Sequence, residues 1–335
     1  MTNLLSLYRP ETLAPYLNPR PGETKFGEAV DTLSHWDQLE SHPVHYVLLG
    51  IPEDIGVRAN YGRAGTALAW EAGLSALLNI QANAHTQPSS LLVLGAIDCS
   101  LQMEQAAQVE TTDPHRFEKW GALVSQIDEK VARVVRTVVA AGKVPIIIGG
   151  GHNNSFGNLK GTSKALGAAV NCINLDAHSD YRPLEHRHSG NGFSYAAKDG
   201  YLNHYYIVGL HQNYTSSSLF STFDTQNDSI RYSLFEDFAV QKTKTFTEVL
   251  AEAERFCTDG SFGLELDMDA IINMGSSAMS PSGISLGEAR SFLRYFSKHK
   301  NCRYIHICEG APNREIFENQ VGKAIAYLVS DVVRA

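Results

Sequence analysis

The sequence predicts an α/β fold, three-layer αβα, with helices on both faces of a mainly parallel sheet. Two observations carry this. Short apolar runs bounded by turn residues recur along the 335 residues, with amphipathic stretches between them. Most of the runs are continuously apolar and not alternating, as strands buried on both faces require. No internal repeat, low-complexity tract or Pro/Ser-rich linker divides the chain, so one domain over residues 1–335 is expected.

Taken in order, strands are expected at residues 46–50, 91–94, 144–148, 169–175, 205–208, 263–267 and 304–308, each too short to be an ordinary helix. Between them, residues 66–80, 117–141, 246–256, 286–297 and 320–333 carry apolar side chains at helical spacing. Gly142 follows the second of these and is a common helix stop. Residues 212–229, rich in Ser, Thr and Asn, read as an excursion over the surface.

With 43% hydrophobic and 19% charged residues the composition is that of a globular protein. A net charge of −8 with dispersed Lys and Arg argues against nucleic acid as a partner. Residues 1–17 lack a basic start followed by an apolar run, and no stretch reaches the roughly 18 apolar residues of a membrane span. A cytoplasmic protein without a membrane partner is expected. Cys99, Cys172, Cys257, Cys302 and Cys308 lack paired spacing and read as reduced, buried thiols.

Three strand ends carry chemistry. In Asp176-Ala177-His178-Ser179-Asp180 the ionisable residues alternate, so in an extended backbone they project from one face. Leu266-Asp267-Met268-Asp269 repeats the pattern, and Gly149-Gly150-Gly151-His152 delivers an imidazole from a turn of small residues. All follow apolar strands, at the sheet edge where open α/β folds bind ligands. Four aspartates converging without a cation would repel one another. Two divalent ions held by His152, Asp176, His178, Asp180, Asp267 and Asp269 remove the conflict. The oxygen-rich donor set favours manganese over zinc, although zinc, cobalt or nickel could compete.

These segments resemble the signatures of the arginase/ureohydrolase family, and the order of strands is similar over most of the chain. The resemblance implies an arginase-like fold with about eight strands, commonly in homo-oligomers, and two Mn2+ ions per chain. It places His152, Asp176, Asp180 and Asp267 on one ion and Asp176, His178, Asp267 and Asp269 on the other, with Asp176 and Asp267 bridging. Within the family the chain looks most like formimidoylglutamase-type enzymes. That likeness rests on Gly56-Val57-Arg58-Ala59-Asn60-Tyr61-Gly62-Arg63-Ala64-Gly65, on Arg182, and on His188-Ser189-Gly190-Asn191-Gly192-Phe193. The chain departs from the family pattern at Asn153, at Glu265, where a serine is common, and in a longer loop over residues 270–281.

The activity implied is hydrolysis of an amidine or guanidine C–N bond. The leading substrate is N-formimidoyl-L-glutamate, split to L-glutamate and formamide as in histidine degradation. A water between two such ions becomes a nucleophile near neutral pH. Asp180 is the implied acid for the leaving amine, Glu309 the carboxylate facing the cationic end of the substrate, and His188 a proton shuttle. Arg182, Asn191, Arg58 and Arg63 are the residues expected to bind the substrate, the arginines by clamping its carboxylates. Three alternatives stay open at this stage: a urea-releasing relative acting on arginine, agmatine or guanidinobutyrate, a non-catalytic metal-binding member, and a zinc amidohydrolase of deacetylase type.

Overall fold

In the computed structural model, which describes residues 4–334, nine strands form one sheet. They are β1 (Leu5–Leu7), β2 (Tyr46–Gly50), β3 (Leu91–Ile97), β4 (Val144–Ile148), β5 (Val170–Leu175), β6 (Leu202–Leu210), β7 (Ile230–Leu234), β8 (Phe262–Asp267) and β9 (Cys302–Cys308). Their spatial order is β1-β3-β2-β4-β9-β8-β5-β6-β7. Only β1 runs antiparallel, against β3 at one edge. The other eight are parallel, in agreement with the mainly parallel sheet of about eight strands.

Side-chain alternation divides the strands between two apolar layers. Leu48, Ile146, Ile148, Leu264, Leu266, Ile305 and Ile307 pack with Trp70, Leu250, Phe292 and Leu328, which belong to the helices Ala69–Leu78, Phe246–Cys257, Leu286–Phe296 and Gln320–Val333. Val47, Leu49, Ile147 and Tyr304 face the other way, onto Val124, Ile127 and Val131 of the long helix Arg116–Ala140. Two helical layers on one central sheet make the three-layer fold. All five cysteines are buried free thiols. No helix among the described residues is long and apolar enough to cross a membrane.

Several elements differ from expectation. β1 and β7 lie at the two edges of the sheet, each paired on one side only; the burial of β7 alternates instead of running continuously. The helix Asn154–Leu166 carries few large apolar residues, yet every residue from Asn154 to Ser163 is buried. It packs closely because Gly157 and Gly161 face the long helix: a Cβ on Gly157 would lie 2.7 Å from Val131 Cβ, and one on Gly161 2.6 Å from the Ala132 carbonyl oxygen. The polar stretch 212–229 contains the helix Ser217–Thr225, capped by Ser216 and mostly exposed apart from Phe223.

Candidate metal centre

Four neighbouring strands end at one crevice. In the order β4, β9, β8, β5 they lead into His152, Glu309, Asp267 with Asp269, and Asp176 with His178 and Asp180. After β4 the chain turns through Gly149 and Gly150, whose φ angles of 86° and 72° suit glycine. Buried Glu53 fastens this turn: its Oε1 accepts the Gly151 amide at 2.9 Å and Asn154 Nδ2 at 2.7 Å, and its Oε2 accepts the Ile55 amide at 2.8 Å.

One local bond shapes both aspartate loops. Asp176 Oδ1 accepts the His178 amide at 2.6 Å, and Asp267 Oδ1 accepts the Asp269 amide at 2.7 Å. Aspartates close such turns with their own side chains. In each loop the other oxygen is left facing the centre, where His152 Nδ1 lies 3.2 Å from Asp176 Oδ2, 2.9 Å from Asp180 Oδ2 and 3.1 Å from Asp267 Oδ2. His178 Nδ1 lies 3.1 Å from Asp269 Oδ2. Its ring stacks on Tyr214 at 5.1 Å, Tyr214 on His211, and His211 on Phe235, so an aromatic ladder supports it from the core.

Ligating atoms of His152, Asp176, Asp180 and Asp267 all fall within 4.8 Å of one another, as do those of Asp176, His178 and Asp269. Asp176 belongs to both groups. Asp267, the other bridge implied by the resemblance, falls in the first group alone.

The donors fit a cation. A single ring nitrogen offers one proton, whereas three carboxylate oxygens surround His152 Nδ1; a divalent ion satisfies all four atoms and a proton does not. Burial raises the Asp180 carboxyl, with the Asp176 charge adding to it. Burial raises Asp267 further, with Asp269 and Asp176 reinforcing the shift. Burial opposes ionisation of Asp176 as well, yet His152 and His178 hold it below the usual carboxylate range. A cation relieves that mutual repulsion.

Beside the two groups lies a cleft of about 290 Å3, lined by His178, Asp180, Arg182, Asp267, Asp269 and Glu309 together with Asn60, Tyr214 and Ser277. Glu309 enters it from a left-handed residue, φ 61°. Its Oε1 accepts the His152 amide at 2.7 Å, and its Oε2 accepts the Ser277 hydroxyl. Burial pushes its carboxyl up to about 8 against both of those bonds. Arg182 stands exposed at the mouth, its Nη1 donating to Asn60 Oδ1 at 2.8 Å.

Four residues expected in the cleft lie elsewhere. Arg58 turns away to pair with Asp54 at 2.8 Å and to cover the Trp120 ring. Arg63 is exposed outside the cleft lining. Asn191 is fully buried: its Oδ1 accepts the His188 amide and the Arg187 guanidinium, and its Nδ2 donates to the His186 carbonyl. His188 is buried as well, with Nδ1 accepting the Gly190 amide at 3.0 Å and Nε2 lying 2.9 Å from Glu185 Oε1. Both of its ring nitrogens are engaged inside the loop, and His188 is not among the residues that line the cleft. Burial lowers its pKa to about 4. Reading the sequence missed Asn60, although it sits between the two arginines singled out in the same segment. Nothing in the spacing marks Ser277, which lies in the loop that departs from the family pattern.

The comparisons with known proteins agree with this fold. The model of the arginase family matches residues 44–334. The chain belongs to the arginase family. This family member is 28% identical, over 271 residues, to a formimidoylglutamase from Geobacillus kaustophilus, covering 79% of this chain and 76% of that one. Its fold is similar to the crystal structure of formimidoylglutamase from Bacillus subtilis, with a TM-score of 0.74, 18% identity and 96% of each chain covered. It is also similar to Trypanosoma cruzi formiminoglutamase with manganese, at TM-score 0.73 and 20% identity, covering 93% of this arginase-family chain and 98% of that one.

Proposed function

We propose that this arginase-family chain is a binuclear metal hydrolase that cleaves N-formimidoyl-L-glutamate with water to L-glutamate and formamide. The observation that carries it is the pair of donor groups sharing Asp176, beside a cleft that holds Glu309 and Arg182. Four carboxylates and two imidazoles suit manganese, with His152, Asp176, Asp180 and Asp267 holding one ion and Asp176, His178 and Asp269 the other. When bound, the ions supply a nucleophile from water near neutral pH and stabilise charge that develops on the substrate.

The protein's own groups do the rest. Glu309, fixed by the His152 amide and the Ser277 hydroxyl, presents its carboxyl group to the amidine nitrogens. Asp180 lines the same cleft and is placed to pass a proton to the amine that leaves with the glutamate skeleton. Arg182 at the mouth offers a guanidinium fork to a substrate carboxylate. Support for the formimidoyl group and its glutamate tail comes from the relatives that bear that name and from this arginine. Turnover of a panel of formimidoylglutamate, arginine, agmatine and guanidinobutyrate by manganese-loaded protein tests the reading. Formamide release from the first substrate is expected; urea from a guanidino compound, with no formamide, would overturn it.

A further inference from the structure

On the side of His152 away from the aspartates lies a second line of ionisable groups that the chemistry above does not use. Glu265 of β8 and His306 of β9 are register partners on adjacent strands, and both are fully buried. His306 Nδ1 lies 2.5 Å from Glu265 Oε2, and its Nε2 lies 3.2 Å from the Gly149 carbonyl oxygen. A carbonyl only accepts, so Nε2 carries a hydrogen and a second proton lies in the short bond to Glu265. The same Glu265 Oε2 is 3.5 Å from His152 Nε2, a buried nitrogen with no hydrogen-bond partner of its own. The opposite nitrogen of that ring, Nδ1, is the one that faces the aspartates.

We infer that Glu265, held in place by His306, is a positioning residue that fixes the His152 ring with Nδ1 toward the crevice. The inference rests on the metal-centre reading above. An imidazole that ligates through Nδ1 keeps its hydrogen on Nε2, and inside a protein that hydrogen needs an acceptor. Glu265 is the carboxylate within reach. A lone carboxylate in the middle of a sheet would be costly, and His306 supplies the compensating proton. Asn158 Nδ2, 3.4 Å from Glu265 Oε1, adds a further donor. Because His306 also holds the Gly149 carbonyl, one pair sets both the ring of His152 and the start of the turn that delivers it. Cys308, the remaining thiol beside His152 and Glu265, points its sulfur to the Leu266 carbonyl, and burial keeps it protonated.

The test is titration of the metal-depleted full-length chain with manganese, followed by electron paramagnetic resonance, for wild type, Glu265→Gln and His306→Gln. Glu265→Gln is expected to weaken one of the two ions about 10- to 100-fold and leave the other unchanged, with the thermal midpoint near wild type. His306→Gln, which can still reach Gly149 but no longer supports Glu265, should weaken the same ion, and it serves if Glu265→Gln does not fold. A folded variant that binds both ions as wild type does would overturn the inference, as would equal weakening of both ions with a lowered midpoint, the mark of a purely structural role. Wild type that fails to bind two ions would instead overturn the metal-centre reading on which the inference stands.

Discussion

Arg182 Nη1 donates to Asn60 Oδ1 across 2.8 Å, joining two segments 122 residues apart at the mouth of the cleft. Asn60 is held in turn by its bond to the Ser189 hydroxyl oxygen at 3.1 Å, so the guanidinium is braced before any substrate arrives. Arg182→Ala should therefore raise KM for formimidoylglutamate about 10- to 100-fold, the worth of a charge-assisted hydrogen bond of about 1.5–3 kcal/mol. An analogue without the tail carboxylates should be little affected. Equal losses on both substrates would refute the clamp.

His188 makes a pH-dependent contribution to stability. In the unfolded chain a histidine titrates near 6.5. In the fold burial lowers His188 to about 4, with the Arg182 charge helping and the Glu185 bond opposing. As pH falls, the unfolded chain takes up this proton first. Stability present above about 6.5 is lost between 6.5 and 4, on the order of 3 kcal/mol from this residue. In His188→Asn the side-chain oxygen can still accept the Gly190 amide but no titrating group remains. Denaturant midpoints measured at pH 7 and pH 5 should show the gap between wild type and variant closing at the lower pH; a constant gap would contradict the assignment.

Gly157→Ala should destabilise the chain although alanine is the better helix former by about 1 kcal/mol. The added carbon would meet Val131 Cβ at 2.7 Å between two packed helices. Overpacking of this kind costs about 1–3 kcal/mol. Gly287, where an added carbon meets nothing nearer than 3.6 Å, is the control, and its alanine variant should keep the wild-type thermal midpoint or exceed it.

The shared position of Asp176 predicts an asymmetry in metal content. Asp176→Asn should lose both ions, since its carboxylate belongs to both donor groups, whereas His178→Asn should lose only the second. Metal analysis of dialysed protein would read about zero and one ion per chain against two for wild type. Retention of both ions by Asp176→Asn would show that the two groups do not share this residue.

Much of this was legible in the chain itself. The apolar runs of the central strands exposed themselves because both faces are buried, and the alternation in Asp176-Ala177-His178-Ser179-Asp180 announced a cluster because side chains two residues apart project together. The edge strands β1 and β7 and the helix Asn154–Leu166 escaped notice for the opposite reason. An edge strand need not be continuously apolar, and a helix of Asn, Ser and Gly can be buried by close packing without an apolar stripe.

What the sequence determined by itself is therefore which strand ends carry ionisable residues and how each short loop presents them, since backbone geometry over a few residues decides that. Only the tertiary structure decided that β4, β9, β8 and β5 are neighbours, bringing His152 to 3.1 Å from Asp267, 115 residues away. It also decided that Asn191 and His188 turn inward as braces while Arg182 turns to the cleft. Strand order and the facing of a loop side chain depend on how distant helices cover the two faces of the sheet, and that competition for burial leaves no periodic trace in the local sequence.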